Sequence, residues 1–318
     1  MSPKTKSVIL DVDVGTDDAW AILLLLNNEL KYNFKIKAIT CVFGNSCVEN
    51  IGKNVLRVLE TVNRLDIPVY LGCNEPLIIH NPDDRNVSFH GVDGLCDIKY
   101  ESEPDTSIIR KCNAIEAICE ILKENENVTI ICLGPLTNLA LLMKLHPITR
   151  DKINDIYIMG GNRHGVGNIT RAAEFNFYCD PEAAFIVFQS AKCRIKLLPL
   201  ETVRNSDKIP ISWRFNELTR NIDNKITKLL DPIEKKAYKN WNYWSPFDTF
   251  CAAYFIDPTI ARKTEDFHMT IELNGLFTRG QVVIDHLDQQ TYKNVTVIEE
   301  IDVEKFKMLI EDTVKQVS

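Results

Sequence analysis

Six short runs in this chain are apolar along nearly their whole length: SVILDV at 7–12, IKAITCVF at 36–43, IPVYLG at 67–72, VTIICLG at 128–134, DIYIMGG at 155–161 and CRIKLLP at 193–199. A strand that is apolar on both faces must be covered on both, as happens in parallel sheets wrapped by helices. The intervening segments supply such helices. TDDAWAILLLLNNEL at 16–30 is one, and CVENIGKNVLRVLETV at 47–62 is another, with Val48, Ile51, Val55, Val58 and Leu59 on one face. The expected fold is α/β and Rossmann-like, with a mostly parallel central sheet flanked by helices and ligands at the strands' carboxyl ends. Residues 1–318 read as one domain. Two segments break the rhythm. Residues 204–248, closing on KKAYKNWNYWSPFD, read as a helical excursion over the sheet near the site, and residues 74–107 as a surface loop carrying FHGVDGL.

Where the first strand turns into the first helix, ILDVDVGTDDAW places Asp11, Asp13, Asp17 and Asp18 within eight positions. Two carboxylates at contact distance repel by ~1 kcal/mol in water and by several times that near a protein interior. Strand alternation puts Asp11 and Asp13 on one face. A helix amino terminus favours carboxylates by ~0.3–1 kcal/mol, which accounts for Asp17 or Asp18, with Thr16 as a cap. Capping does not account for Asp11 and Asp13 between Val and Leu. A hard divalent cation, calcium or magnesium, takes only oxygen ligands and offsets the repulsion of the whole set.

The net charge of −7, with no compensating basic run, argues against a nucleic-acid or anionic-membrane partner. Ten cysteines are scattered without a CxxC pair, which disfavours zinc and a disulfide framework and suits a reducing cytosol. The start is not leader-like, so a cytoplasmic protein is expected.

Two families place an aspartate motif on a first strand. Haloacid-dehalogenase-like phosphatases, which are magnesium-dependent, use DxDx[TV], but here the fifth position is Gly15, and their downstream lysine and acidic pair have no clear counterpart. DVDVGTDDA more closely resembles the DxDxGxDDxxA signature of the inosine–uridine-type nucleoside hydrolases. The likeness continues in order through VFGN at 42–45, IPVYLG at 67–72, HGVDGL at 90–95, LGPLTNLA at 133–140, MGGN at 159–162, GNITRAAEFNFYCDPEAA at 167–184 and Phe247-Asp248.

That resemblance implies calcium-dependent hydrolysis of the N-glycosidic bond of ribonucleosides. Asp13 matches the general base and calcium ligand, Asp18 a bidentate ligand, Asp248 the distal ligand, and Leu133 the position that gives a main-chain carbonyl. Asp17 matches the carboxylate that holds the ribose 2′-hydroxyl, and Asp11 a supporting aspartate. Asn45, Asn168, Glu174 and Asn176 match residues that orient the water and bind ribose. Each of Asn168, Glu174, Asn176 and Asp248 taken alone would suit an ordinary cap or turn; the ordered set favours the site. Homodimers or homotetramers are the family's usual assemblies, and one is expected here.

One departure matters. The inosine–uridine subgroup carries His-Asp where this chain has Phe247-Asp248. Phenylalanine cannot protonate a departing base, and loss of a general acid costs ~10²–10⁴-fold in rate. Purine-specific members stack the base between aromatic rings instead. Phe247, with Trp244, Trp241 or Tyr243 above and Phe89 below, would make such a sandwich, which predicts purine preference. Tyr238, Trp241 and Trp244, spaced i, i+3, i+6, equally suit the buried stripe of a helix. His90 matches a histidine near the base in broad-specificity members, which keeps pyrimidine nucleosides open. A non-catalytic nucleoside-binding protein is the remaining reading, disfavoured by the presence of Asp13 and the full ligand set.

Overall fold

The computed structural model describes residues 4–79 and 89–315. In the first half β1 (Lys6–Val12) leads into α1 (Thr16–Asn28), β2 (Phe34–Cys41) into α2 (Val48–Thr61), and β3 (Val69–Leu71) comes next. Then follow α3 (Ala114–Glu124), β4 (Val128–Cys132), α4 (Thr137–Leu145), β5 (Ile153–Met159), α5 (Phe175–Cys179), α6 (Pro181–Ser190), β6 (Ile195–Leu198) and α7 (Leu200–Asn205). The excursion holds β7 (Ile209–Pro210), α8 (Lys225–Ala237), β8 (Tyr243–Trp244) and α9 (Phe247–Ile256). The chain closes with β9 (Ala261–Phe267), β10 (Met269–Ile271), β11 (Val282–Ile284), β12 (Val295–Ile301) and α10 (Val303–Lys315).

All six apolar runs become strands of one eight-stranded sheet, in the order β3-β2-β1-β4-β5-β6-β12-β9. Every neighbouring pair is parallel except β12 with β9. The order runs outward in both directions from β1 and β4. Their carboxyl ends therefore flank the switch point, the crevice where open α/β sheets bind ligands. The lone antiparallel strand, β9, lies on the edge and is largely exposed and charged (ARKTEDF), a sequence that discourages pairing with another sheet.

Alternation along β1 sorts its side chains. Val8, Leu10 and Val12 join the core shared with α1, α2, α9 and α10, whereas Ile9 joins the core under α3, α4 and α6. Asp11 falls on the Ile9 side. Helices α1 and α9 are apolar on nearly every side because each packs between the sheet and outer helices. Burying these two helices also buries their amino termini, which carry Asp17, Asp18 and Asp248.

The excursion is less helical than expected. Helix α8 stops at Ala237, and β8 pairs antiparallel with β7. Tyr238, Trp241 and Trp244 therefore do not lie on one helix face. Ile209, Trp213, Ile226, Leu230, Ile233 and Trp244 belong to the same core as α1. Of the loop expected at 74–107, residues 80–88 lie outside the described residues, and 89–105 are irregular. Among the described residues no helix is long and apolar enough to cross a membrane.

Candidate active site

At the switch point, the end of β1 delivers Asp13. Its Oδ2 accepts the main-chain N–H of Asn45 (3.0 Å), and the Asn45 side-chain amide donates to the Asp13 carbonyl (3.1 Å). Gly44 and Gly134 press on this carboxylate from either side. A Cβ on Gly44 would run into Oδ2, and one on Gly134 would sit 2.8 Å from Oδ1. Burial pushes the Asp13 carboxyl well above the usual range, and the nearby charge of Asp18 adds to the effect.

Two residues upstream, Asp11 is 1% exposed. Its Oδ1 accepts from Thr40 Oγ1 (2.6 Å) and Asn138 Nδ2 (2.8 Å), while its Oδ2 has no partner. Burial lifts its pKa to about 6. Asn138 also donates to the Cys41 carbonyl and accepts from the Cys73 N–H, so one amide from α4 ties the ends of β1 and β2 to the chain after β3.

The amino termini of α1 and α9 converge beside Asp13. Gly15, not Thr16, is the N-cap of α1; Asp18 reaches back to accept the Gly15 N–H at 2.8 Å, and the Thr16 hydroxyl is buried without a partner. One carboxylate oxygen from each of Asp17, Asp18 and Asp248 falls within 4.8 Å of the other two. The Asp248 N–H donates to Asp17 Oδ2 (3.4 Å), and Thr249 Oγ1 donates to the Asp17 carbonyl (3.0 Å), tying the two helix starts together. Asp18 is fully buried and its Oδ1 has no hydrogen-bond partner. Burial, with Asp17 alongside, raises Asp18 to about 7, and burial with Asp17 and Asp18 raises Asp248 well above its usual range. A buried, unpartnered carboxylate oxygen in an all-oxygen cluster fits a hard cation, because each group is costly as it stands and each offers a suitable donor. Asp17 stands within this trio although the resemblance gives it to ribose; Asp13 couples to the cluster electrostatically.

Across the crevice Glu174 caps α5. Its Oε1 accepts from the Asn176 N–H, and its Oε2 from Gly161 (2.7 Å) and Phe177 (3.3 Å). Burial nevertheless raises it to about 7. The Asn176 amide donates to the carbonyls of Leu133 (2.8 Å) and Met159 (3.2 Å), joining the ends of β4 and β5. A carbonyl has two lone pairs, so Leu133 retains one for a cation. Asn168 lies on the loop before Glu174, where its N–H meets the Ala173 carbonyl.

These groups enclose a cavity of about 300 Å³, at the lower end of the ~300–1,000 Å³ usual for small-molecule sites. Asp13, Asp17, Asn45, Leu133, Asn168, Glu174, Asn176 and Asp248 line it together with Phe89, His90 and Phe247. His90 accepts the Thr16 N–H at Nδ1 (3.2 Å), and burial lowers its pKa. The ring is thereby neutral near pH 7 and carries its proton on Nε2.

Trp244 requires correction. It is 1% exposed and absent from the cavity wall; its indole N–H donates to Glu234 Oε1 (2.6 Å), and its ring packs against Trp20, Trp213 and Phe306. Tyr243 is away from the cavity as well, beside Lys208. The rings that do line it are Tyr238 and Trp241, which meet Phe89 edge to face at 5.3 and 5.7 Å. The sandwich expected from the sequence is thus a cluster of ring edges. Met159, Ile169, Phe175 and Ser245 complete the lining and carry no chemical signal that sequence reading could use.

The sequence pattern described as "Inosine-uridine preferring nucleoside hydrolase" matches residues 8–308. The pyrimidine-specific ribonucleoside hydrolase RihA of Escherichia coli (strain K12) is 37% identical over 314 residues, covering 97% of this chain and 98% of its own. The same-named protein of Shigella flexneri is equally similar. Among solved structures, an inosine-guanosine nucleoside hydrolase superposes with a TM-score of 0.89 at 29% identity over 98% of both chains. The plant nucleoside hydrolase PpNRh1 gives a TM-score of 0.83 at 26% identity over 97% of this chain and 98% of its own.

Proposed function

The chain belongs to the inosine-uridine preferring nucleoside hydrolase family and is an N-ribohydrolase, and from that premise we propose a calcium-dependent enzyme that cleaves the N-glycosidic bond of purine ribonucleosides. The observation that carries the calcium assignment is the convergence of two buried helix starts on an acidic cluster in which Asp18 Oδ1 is unpartnered. Asp13, Asp18, Asp248 and the Leu133 carbonyl would hold the ion. When bound, calcium supplies Lewis acidity that makes a water molecule a better nucleophile.

The remaining steps belong to the protein. Asn45 fixes Asp13 Oδ2, leaving Oδ1 to take the proton from the attacking water. Asp17, Asn168, Glu174 and Asn176 hold the ribose hydroxyls. A deoxyribose would leave the buried Glu174 and Asn176 short of a partner, so ribose is favoured. The surrounding carboxylates stabilise the positive charge that develops on the sugar as the bond breaks. Asp11 supports Asp13 from behind. The ring edges of Phe89, Tyr238 and Trp241, with Phe247, embrace the base, and the larger purine gains more contact.

Pyrimidine preference is the second reading. It is favoured by the 37% identity to pyrimidine-specific relatives and by His90, which lines the cavity and matches a histidine of broad-specificity members. Turnover of inosine, guanosine, uridine and cytidine, scored as free ribose, separates the two: inosine or guanosine fastest is expected, and uridine fastest overturns purine preference. A cytoplasmic homodimer or homotetramer completes the proposal, and light scattering tests the assembly.

A further inference from the structure

The two helix starts that make the acidic cluster belong to segments more than two hundred residues apart, and one buried carboxylate outside the cavity touches both. Glu234, in α8, is 1% exposed. Its Oε2 accepts the indole N–H of Trp20 (3.0 Å) and Nε of Arg214 (2.7 Å), and its Oε1 accepts the indole N–H of Trp244 (2.6 Å). Trp20 lies three residues beyond Asp17 on α1. Trp244 lies four residues before Asp248, at the entry to α9. The two indoles meet edge to face at 5.7 Å.

Arg214 makes this junction rigid. It is completely buried, donates to Thr219 Oγ1 (3.0 Å) and Asp231 Oδ1 (2.8 Å) as well as to Glu234, and its guanidinium lies 4.9 Å from the Trp20 ring centre. A buried ion pair is seldom more stabilising than apolar packing of the same shape, because both charges lose their hydration. Direction is what it adds: three donors aimed at one carboxylate fix two indoles relative to each other.

We infer that Glu234 is a positioning residue whose carboxylate, through Trp20 and Trp244, sets the separation between Asp17–Asp18 and Asp248 and so builds the cation site before the ion arrives. This inference rests on the cation reading of the acidic cluster. The direct contacts of Asp248 and Thr249 with Asp17 hold the helix starts at their tips; Glu234 holds them further back.

The test is calcium titration by calorimetry of chelator-stripped wild-type protein and Glu234→Gln, at a temperature where circular dichroism shows both fully folded. The glutamine keeps the shape but sets an NH₂ against one N–H donor. Expected is a calcium Kd about 10-fold or more weaker, as when outer partners of metal ligands are removed, with kcat recovering towards wild type in excess calcium. Lower thermal stability with an unchanged calcium Kd would make Glu234 merely structural and overturn the inference. Should Glu234→Gln fail to fold, Trp244→Phe removes a single donor while keeping a smaller aromatic ring. Weakened calcium binding there supports the joint, and wild-type affinity overturns it. Wild-type protein that takes up no calcium sinks the cation reading and the joint with it, whereas wild-type uptake with unaltered variants sinks the joint alone.

Discussion

The two walls of the cavity are built by opposite means. The acidic wall, proposed to face the sugar, stands on strand ends and helix starts, and its acids are held by main-chain donors: Asn45 on Asp13, Gly15 on Asp18, and Gly161, Asn176 and Phe177 on Glu174. The aromatic wall, proposed to face the base, stands mostly on turns. Its rings touch one another by their edges, and Trp241 is 53% exposed. Main-chain donors leave an acid little freedom, whereas ring contacts on turns shift with small changes of sequence. One wall suits chemistry that must stay constant, the other a choice of base that differs even between the pyrimidine-specific and inosine-guanosine relatives.

Substitutions should respect this division. The largest effect is expected for Asp13→Asn, which keeps the shape but cannot take a proton: kcat should fall about 10³-fold while the circular dichroism spectrum stays unchanged. Residual activity near wild type would remove Asp13 from the base role. Chelation should cost as much. Stripping calcium should abolish ribose release, and adding it back should restore activity and raise the Tm by several degrees, since a ligand that binds only the folded state stabilises it. On the opposite wall the effects should be smaller and depend on the base. Trp241→Ala should lower kcat/KM for inosine about 5- to 10-fold, the size of one aromatic contact, and for uridine by less. Equal losses on both substrates would mean that the wall does not discriminate.

The smallest effect is a slope with pH. Burial lifts Asp18 from 3.8 to about 7 and Glu174 from 4.5 to about 7. Between those values the folded chain binds more protons than the unfolded one, so stability without calcium falls as pH rises to about 7 and then levels off. His90, whose pKa is depressed, opposes with one group. The chelated protein should therefore melt a few degrees higher at pH 5.5 than at pH 7.5, and calcium should flatten the difference. A chelated Tm that climbs over this range would contradict the burial of these acids.

The same division governs what the sequence made legible. The apolar runs are the strands to within a few residues, because a strand buried on both faces leaves no other pattern. One carboxylate oxygen each of Asp17, Asp18 and Asp248 comes together, with Asp13 beside them on the cavity wall, and the sequence shows why: the helices behind them are too apolar to sit anywhere but the interior. The base side was poorly legible. Trp241 and Trp244 are three residues apart in a similar setting, yet one borders the cavity and the other is core. The choice is made by Glu234 and by the end of α8 at Ala237, both of which depend on tertiary structure. Thr16 suits a cap by residue type, but the first helical bond runs from the Ala19 N–H to the Gly15 carbonyl, so Gly15 holds the cap position and Thr16 falls inside the helix.

Gly44 and Gly134 leave no more than a hydrogen atom's room on either flank of Asp13. Catalytic power in this protein is therefore vulnerable at positions that have no functional group of their own. With Asp13 as the proposed base, a single methyl at either would turn its carboxylate out of line while the other acids kept their places, so a catalogue of inactivating changes here would be led as much by missing space as by missing charge.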